Sequence, residues 1–163
     1  MTSSAGDNNG FQMNAGNACA NDGVFAEDVD SGTGTSTACT ATGKDKHLYY
    51  NYGISVPAGS VVNGFEVRLD GFADSTTGAP RYCVELSWNG GTSWTTAKTM
   101  ASNLTTTEAT YTLGASGDTW GRTWAVSELT NANFRIRITS RASNIARDFR
   151  LDWAAVQVTY TPP

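Results

Sequence analysis

From His47 onward, apolar and polar residues alternate with a period of two along most of the chain, the spacing of strands that bury one face. Leu48, Tyr50, Tyr52, Ile54 and Val56 share one parity, with His47, Tyr49, Asn51 and Ser55 on the other. This predicts a half-buried strand ended by Pro57-Ala58-Gly59. Phe65, Val67 and Leu69 alternate with Glu66, Arg68 and Asp70, and Tyr82, Val84, Leu86 and Trp88 with Cys83, Glu85 and Ser87. Asn89-Gly90-Gly91 then predicts a hairpin, because positive φ is cheap there, with Thr92 to Lys98 returning as the partner strand. A strand is expected over Ala109 to Leu113 and a short helical turn over Val126 to Leu129. Phe134, Ile136 and Ile138 alternate with Arg135 and Arg137; in the last strand Ala154, Val156, Val158 and Tyr160 oppose Trp153, Gln157 and Thr159.

Residues 1–43 are mostly turn formers, with Phe11, Val24, Phe25 and Val29 as core contributors. The expected architecture is one all-β domain, a two-sheet antiparallel β-sandwich of jelly-roll type, with a loop-rich segment at 1–43 and the core sandwich at 44–161. Composition agrees. The 163 residues include 17 Gly but only 11 Lys plus Arg, and the usual helix formers are scarce.

A net charge of −4 argues against a chain that neutralises nucleic-acid phosphates or an anionic membrane, and no apolar run is long enough to span a bilayer. Charge is also placed unevenly: residues 1–100 carry 5 basic and 10 acidic side chains, the remainder 6 and 5. The opening MTSSAGDNNG lacks the basic and apolar regions of a signal peptide. The Lys-poor, Thr/Asn/Gly-rich composition nonetheless reads as that of an extracellular or cell-surface module of a longer secreted protein.

Three cysteines bear on the compartment. Cys19 and Cys39 bracket a Gly/Ser/Thr/Asp-rich segment with little core of its own, and a disulfide between them would contribute on the order of 3 kcal/mol. Cys83 is then left over as a free thiol. Zinc is disfavoured by the lack of CxxC and the single His. Catalysis finds no GxSxG, HExxH or P-loop, and His47 has no neighbouring nucleophile in sequence, so the expectation is no enzyme.

The runs YGISVPAGSVVNGFEVRLDG, VELSWNGGTSW, DTWGRTWAVSELTNANFRIRI and LDWAAVQVTYT follow in an order that resembles a jelly-roll-like sandwich module of large bacterial extracellular proteins and some phage structural proteins. The resemblance covers about Tyr50 to Thr161, and in size and aromatic content the chain is similar to carbohydrate-binding modules. Ser87 to Trp94 resembles the Asp-box hairpin of sialidases, which implies a folding element whose polar side chains satisfy the turn.

Parity turns Asp152 inward at the start of a core strand, where an ionised carboxylate needs a partner. Sugar-binding jelly rolls commonly pin the N-terminal segment to the last strand with calcium, so the resemblance implies a structural Ca²⁺ held by Asp152 with some of Asp22, Glu27, Asp28 and Asp30. The alternative is an Asp152 bonded to loop amides or paired with Arg147 or Arg150. The polar positions Tyr49, Glu66, Arg68, Glu85, Arg135 and Arg137 would line a glycan groove or pair across strands, and Trp153 is the best placed exposed aromatic. Two functions follow: a non-catalytic binding or adhesion module for a glycan or cell-surface polymer, or an assembly unit of a surface stalk, filament or phage fibre that contacts neighbouring modules.

Overall fold

The computed structural model describes residues 1–5 and 9–163. Among them nine strands form two antiparallel sheets: β1 (Thr2–Ala5), β2 (Ala26–Asp28), β3 (Lys46–Tyr50), β4 (Val61–Ala73), β5 (Arg81–Ser87), β6 (Lys98–Thr99), β7 (Ala109–Gly114), β8 (Arg135–Arg141) and β9 (Phe149–Thr161). The five-stranded sheet runs β1-β3-β8-β5-β6 and the four-stranded sheet β2-β9-β4-β7. From β2 onward each sheet takes its strands in jelly-roll order, and β1 adds an edge beside β3. The expected fold class is therefore the observed one. Helical structure among the described residues is confined to two short 3₁₀ turns, Ala15–Ala18 and Val126–Leu129, and no helix is long and apolar enough to cross a membrane.

The period-two pattern is realised in the core. Phe65, Val67 and Leu69 of β4 face Tyr82, Val84 and Leu86 of β5 and Ile136 and Ile138 of β8 within one continuous buried cluster. At one end Phe65 stacks on Phe134 with centroids 5.6 Å apart and meets Trp124 at 4.6 Å. Offset and tilted aromatic pairs of this kind add to the stabilisation from burial alone. Arg122 closes that end: its guanidinium lies 4.1 Å from the Trp88 ring and 4.4 Å from that of Trp124, and it makes two hydrogen bonds to Glu128 in the 3₁₀ turn.

Three expectations about strands are corrected. The first core strand ends at Tyr50, and its parity is reversed: His47 and Tyr49 point inward, while Leu48 and Tyr50 sit on the outer side. Asn51 (φ 62°) and Gly53 (φ 66°) then break the extended backbone, which lets Tyr52, Ile54 and Val56 pack on the core although they share the parity of the outward residues. Thr92 to Lys98 does not return as a strand. Asn89 Oδ1 instead accepts the Ser93 N–H at 2.8 Å and Ser87 Oγ the Gly91 N–H at 2.9 Å, which holds a compact loop; Thr95 bonds Leu86 of β5 through its N–H and hydroxyl, and strand pairing with β5 is confined to Lys98–Thr99. The Asp-box-like side chains thus satisfy turn backbone, as expected of a folding element.

The disulfide is also corrected: Cys39 bonds to Cys83, and Cys19 is the free thiol. Cys83 occupies an outward position of β5, paired with Thr139 of β8. The loop after β2 crosses this outer face, with Arg141 donating to the Thr37 carbonyl at 2.7 Å and Cys39 fastened at Cys83. Cys19 lies on the other sheet, bridged to Trp153 of β9, and so cannot meet Cys39.

Candidate functional site

The polar positions expected to share one groove fall on two opposite outer faces. Tyr49 is on neither: it is fully buried, with its hydroxyl donating to the Ala15 carbonyl at 3.0 Å, so its assignment as a ligand residue is withdrawn. Glu85, Arg135 and Arg137 lie on the five-stranded sheet, and Glu66, Arg68 and Trp153 on the four-stranded one.

On the four-stranded sheet the register places Glu66 beside Gln157, Arg68 beside Ala155 and Asp70 beside Trp153. These side chains surround a surface cavity of about 370 Å³ lined by Glu66, Arg68, Trp153, Ala155, Val156 and Gln157. Arg68 is fixed by Asp70, at 3.0 Å from Nε and 2.7 Å from the terminal nitrogen, and its guanidinium lies 4.9 Å from the Trp153 ring centroid. Asp70 is buried and also accepts from the Asn21 side-chain amide at 3.2 Å. The result is an indole wall and an apolar floor, ringed by a held guanidinium, a carboxylate and an amide. Asp70 and Gln157 were not among the expected ligand residues, although each shares the parity of a neighbour that was.

Asp152 is buried for a reason the alternation does not give. A bulge makes it an extra residue of β9, since Gly71 pairs with Leu151 and Asp70 already with Trp153. Its Oδ1 accepts the N–H groups of Asp22 (3.3 Å) and Gly23 (3.0 Å), which ties the N-terminal segment to the last strand through backbone amides. Glu108 faces it, and desolvation followed by the Asp152 charge holds the Glu108 carboxyl above the usual carboxylate range.

The acids expected to hold calcium go to separate environments. Glu27 pairs with Arg150 at 3.3 Å, Asp22 accepts the Val24 N–H at 3.1 Å, and Asp30 is exposed with its N–H donating to Asp148. Asp28 turns the other way, into the sandwich, where its carboxyl faces Asp45 and Ser140. Burial first, then Asp45, pushes its pKa up to about 10. Protonated Asp28 can donate to Asp45, which gives its carboxyl the partner it otherwise lacks. Among the described residues no three His, Cys, Asp or Glu side chains gather as a metal-binding group. Of these acids Asp152 holds two amides through Oδ1, while its Oδ2 is buried without a hydrogen-bond partner among the described residues.

On the five-stranded sheet Arg137 grips Glu85 with two 2.8 Å hydrogen bonds and lies 4.2 Å from the Trp94 ring centroid. Beside it, the Arg135 guanidinium lies 4.3 Å from the Tyr50 ring. Each arginine is thus stacked on an aromatic residue.

The fold is that of a jelly-roll β-sandwich. Comparison with solved structures found a chain described as "CBM4 structure and function", with a TM-score of 0.46 and 12% identity over 82% of this chain and 82% of that one. No protein-family model matches the sequence, and no curated protein matches it.

Proposed function

We propose that the protein is a non-catalytic extracellular module that binds a glycan in the cavity on the four-stranded sheet. The observation that carries this is the convergence of Trp153, Arg68, Glu66 and Gln157 on a single cavity of about 370 Å³. A pyranose presents an apolar C–H face and a rim of hydroxyls, and this cavity offers an aromatic surface and polar groups that both donate and accept. Asp70 holds Arg68 in place before any ligand arrives, which lowers the entropic cost of binding. A disulfide at Cys39–Cys83 is in keeping with an oxidising extracellular setting. Calcium has no part in this reading, because the amide clamp on Asp152 already joins the N-terminal segment to β9.

Binding to immobilised neutral polysaccharides, compared between the wild type and the Trp153→Ala and Glu66→Gln variants, tests the proposal. Retention that falls about tenfold or more in Trp153→Ala supports it, and equal retention by all three proteins refutes it.

A second reading is assembly with neighbouring modules. It is favoured by the outer edge of β9: β2 pairs only with Phe149 to Leu151, so the β9 edge beyond Trp153 is free of a second strand among the described residues. Concentration-dependent light scattering, lost when Val158 is replaced by Pro, would support this reading in place of the first.

A further inference from the structure

We propose a second binding site on the opposite, five-stranded sheet, for an acidic sugar unit, centred on the guanidinium of Arg135. The chain has eight arginines. Seven of them hydrogen-bond or ion-pair with protein groups: Arg68 with Asp70, Arg81 with Asn103, Arg122 with Glu128, Arg137 with Glu85, Arg141 with Thr37, Arg147 with Asp74 and Arg150 with Glu27. Among the described residues Arg135 has neither: its guanidinium lies against the Tyr50 ring, and its Nε, like those of Arg141 and Arg147, is buried without an acceptor. A guanidinium placed over an aromatic ring, with its two terminal nitrogens unclaimed among the described residues, offers an end-on fork for an oxyanion.

The neighbouring groups decide the polarity of the ligand. Across the sheet, Tyr50, Arg135 and Ser87 form one outward row, and Leu48, Arg137 and Glu85 the next. Glu85 is the one carboxylate in these rows, and both its oxygens are taken by Arg137. Ser87 Oγ is committed to the loop at Gly91. What the face leaves for a ligand is therefore the Arg135 terminal nitrogens, the Tyr50 hydroxyl, which both donates and accepts, and the half-buried Trp94 ring, with no free carboxylate in these rows. Such a set selects ligand oxygens, and its net charge of +1 on a chain of −4 selects an anion.

Two aromatic residues beside the donors favour a sugar ring that carries the anion over an acidic peptide. The site is bounded as well. The loop fastened at Cys83 covers one end of the sheet face; at the other, Gly91 has a φ of 94° that favours glycine, and a side chain there would meet Trp94 and Arg135. Carboxylate and sulfate share the required chemistry, and the experiment separates them.

Wild type, Arg135→Ala, Arg135→Lys and Trp153→Ala proteins, each first checked for an unchanged unfolding midpoint, are titrated with polygalacturonate, chondroitin sulfate, a neutral β-glucan and poly-glutamate. The expected result is binding of an acidic polysaccharide that weakens with added salt, falls about tenfold or more in Arg135→Ala, is only partly kept by Arg135→Lys, and is unchanged in Trp153→Ala. Binding of polygalacturonate identifies a uronate ligand, and binding of chondroitin sulfate that is lost with desulfated chondroitin a sulfated one. The inference is overturned if no acidic polysaccharide binds, if Arg135→Ala binds as well as wild type, or if poly-glutamate binds equally with the same dependence on Arg135. Because β-glucan binding is read through Trp153 and acidic binding through Arg135, the loss of either leaves the other proposal standing.

Discussion

Cys39 and Cys83, 44 positions apart, hold their Cα atoms 5.7 Å from each other and so fasten a turn-rich loop onto the outer face of β5 and β8. The loop between Asp28 and Lys46 contains no strand, and the bond stands in for the apolar burial that the loop cannot supply.

A tether of this length restricts the unfolded chain by about 4 kcal/mol, so Cys83→Ser, or reduction, should lower the unfolding free energy by about that amount. Denaturant titration with and without a reductant measures it. Under non-reducing conditions a single thiol, that of Cys19, should react with an alkylating reagent, and a labelled Cys83 peptide would contradict the bond.

Asp28 makes stability fall as pH rises. Its ordinary pKa is 3.8 and its folded pKa about 10, so the unfolded chain loses the proton well before the folded one does. The stabilising contribution is complete below about pH 4 and drains away through the range up to about pH 10. Asp28→Asn keeps the donor toward Asp45 and removes the titration. We expect the variant to gain on the wild type by about 1.4 kcal/mol for each pH unit between the two pKa values, and to differ little from it at pH 4, measured by urea unfolding at pH 4 and pH 8.

His47 works in the opposite direction. It is buried with Nδ1 accepting the Phe11 N–H at 3.1 Å, and desolvation lowers its pKa from 6.5 to about 4. The unfolded chain therefore takes up a proton that the folded one refuses, and stability is lost as pH drops from about 6.5 to about 4. Replacing His47 with Gln should flatten this limb of the pH profile; a profile identical to wild type would show that another group sets it.

Calcium should leave the protein unmoved. Thermal melts in excess EDTA and in millimolar CaCl₂ are expected to agree within about 1 °C, because an ion bound only to the folded state would raise its stability with the logarithm of the free calcium concentration. Asp152→Ala, by contrast, removes the acceptor of two backbone amides and should cost about 1–3 kcal/mol at any calcium concentration.

Strands β4, β5, β7, β8 and β9 were legible because each keeps its alternation over several residues, and the inward sets Phe65/Val67/Leu69 and Ile136/Ile138 followed directly. Where reading failed, a single backbone event had shifted the phase. The left-handed Asn51 resets parity between Tyr49 and Tyr52, and the bulge at Asp152 inserts a residue that a period of two cannot represent. β1, with the sequence TSSA, has no apolar face to read; it is held by pairing with β3. The partner of Cys39 was hidden for a related reason. An outward strand position looks inert until a distant loop crosses it, and only tertiary structure brings that loop to Cys83. The site was half legible: Glu66, Arg68 and Trp153 meet as their parity implies, but no one-dimensional pattern says which sheet a strand joins, so Glu85, Arg135 and Arg137 could not be assigned to the far side.

The sandwich also sets valency. The Arg68–Trp153 and Arg135–Tyr50 stacks stand back to back on opposite sheets, with the whole core between them. Given both proposed sites, a polymer strand on one face would leave the other open, so one molecule would bridge two strands without forming a dimer.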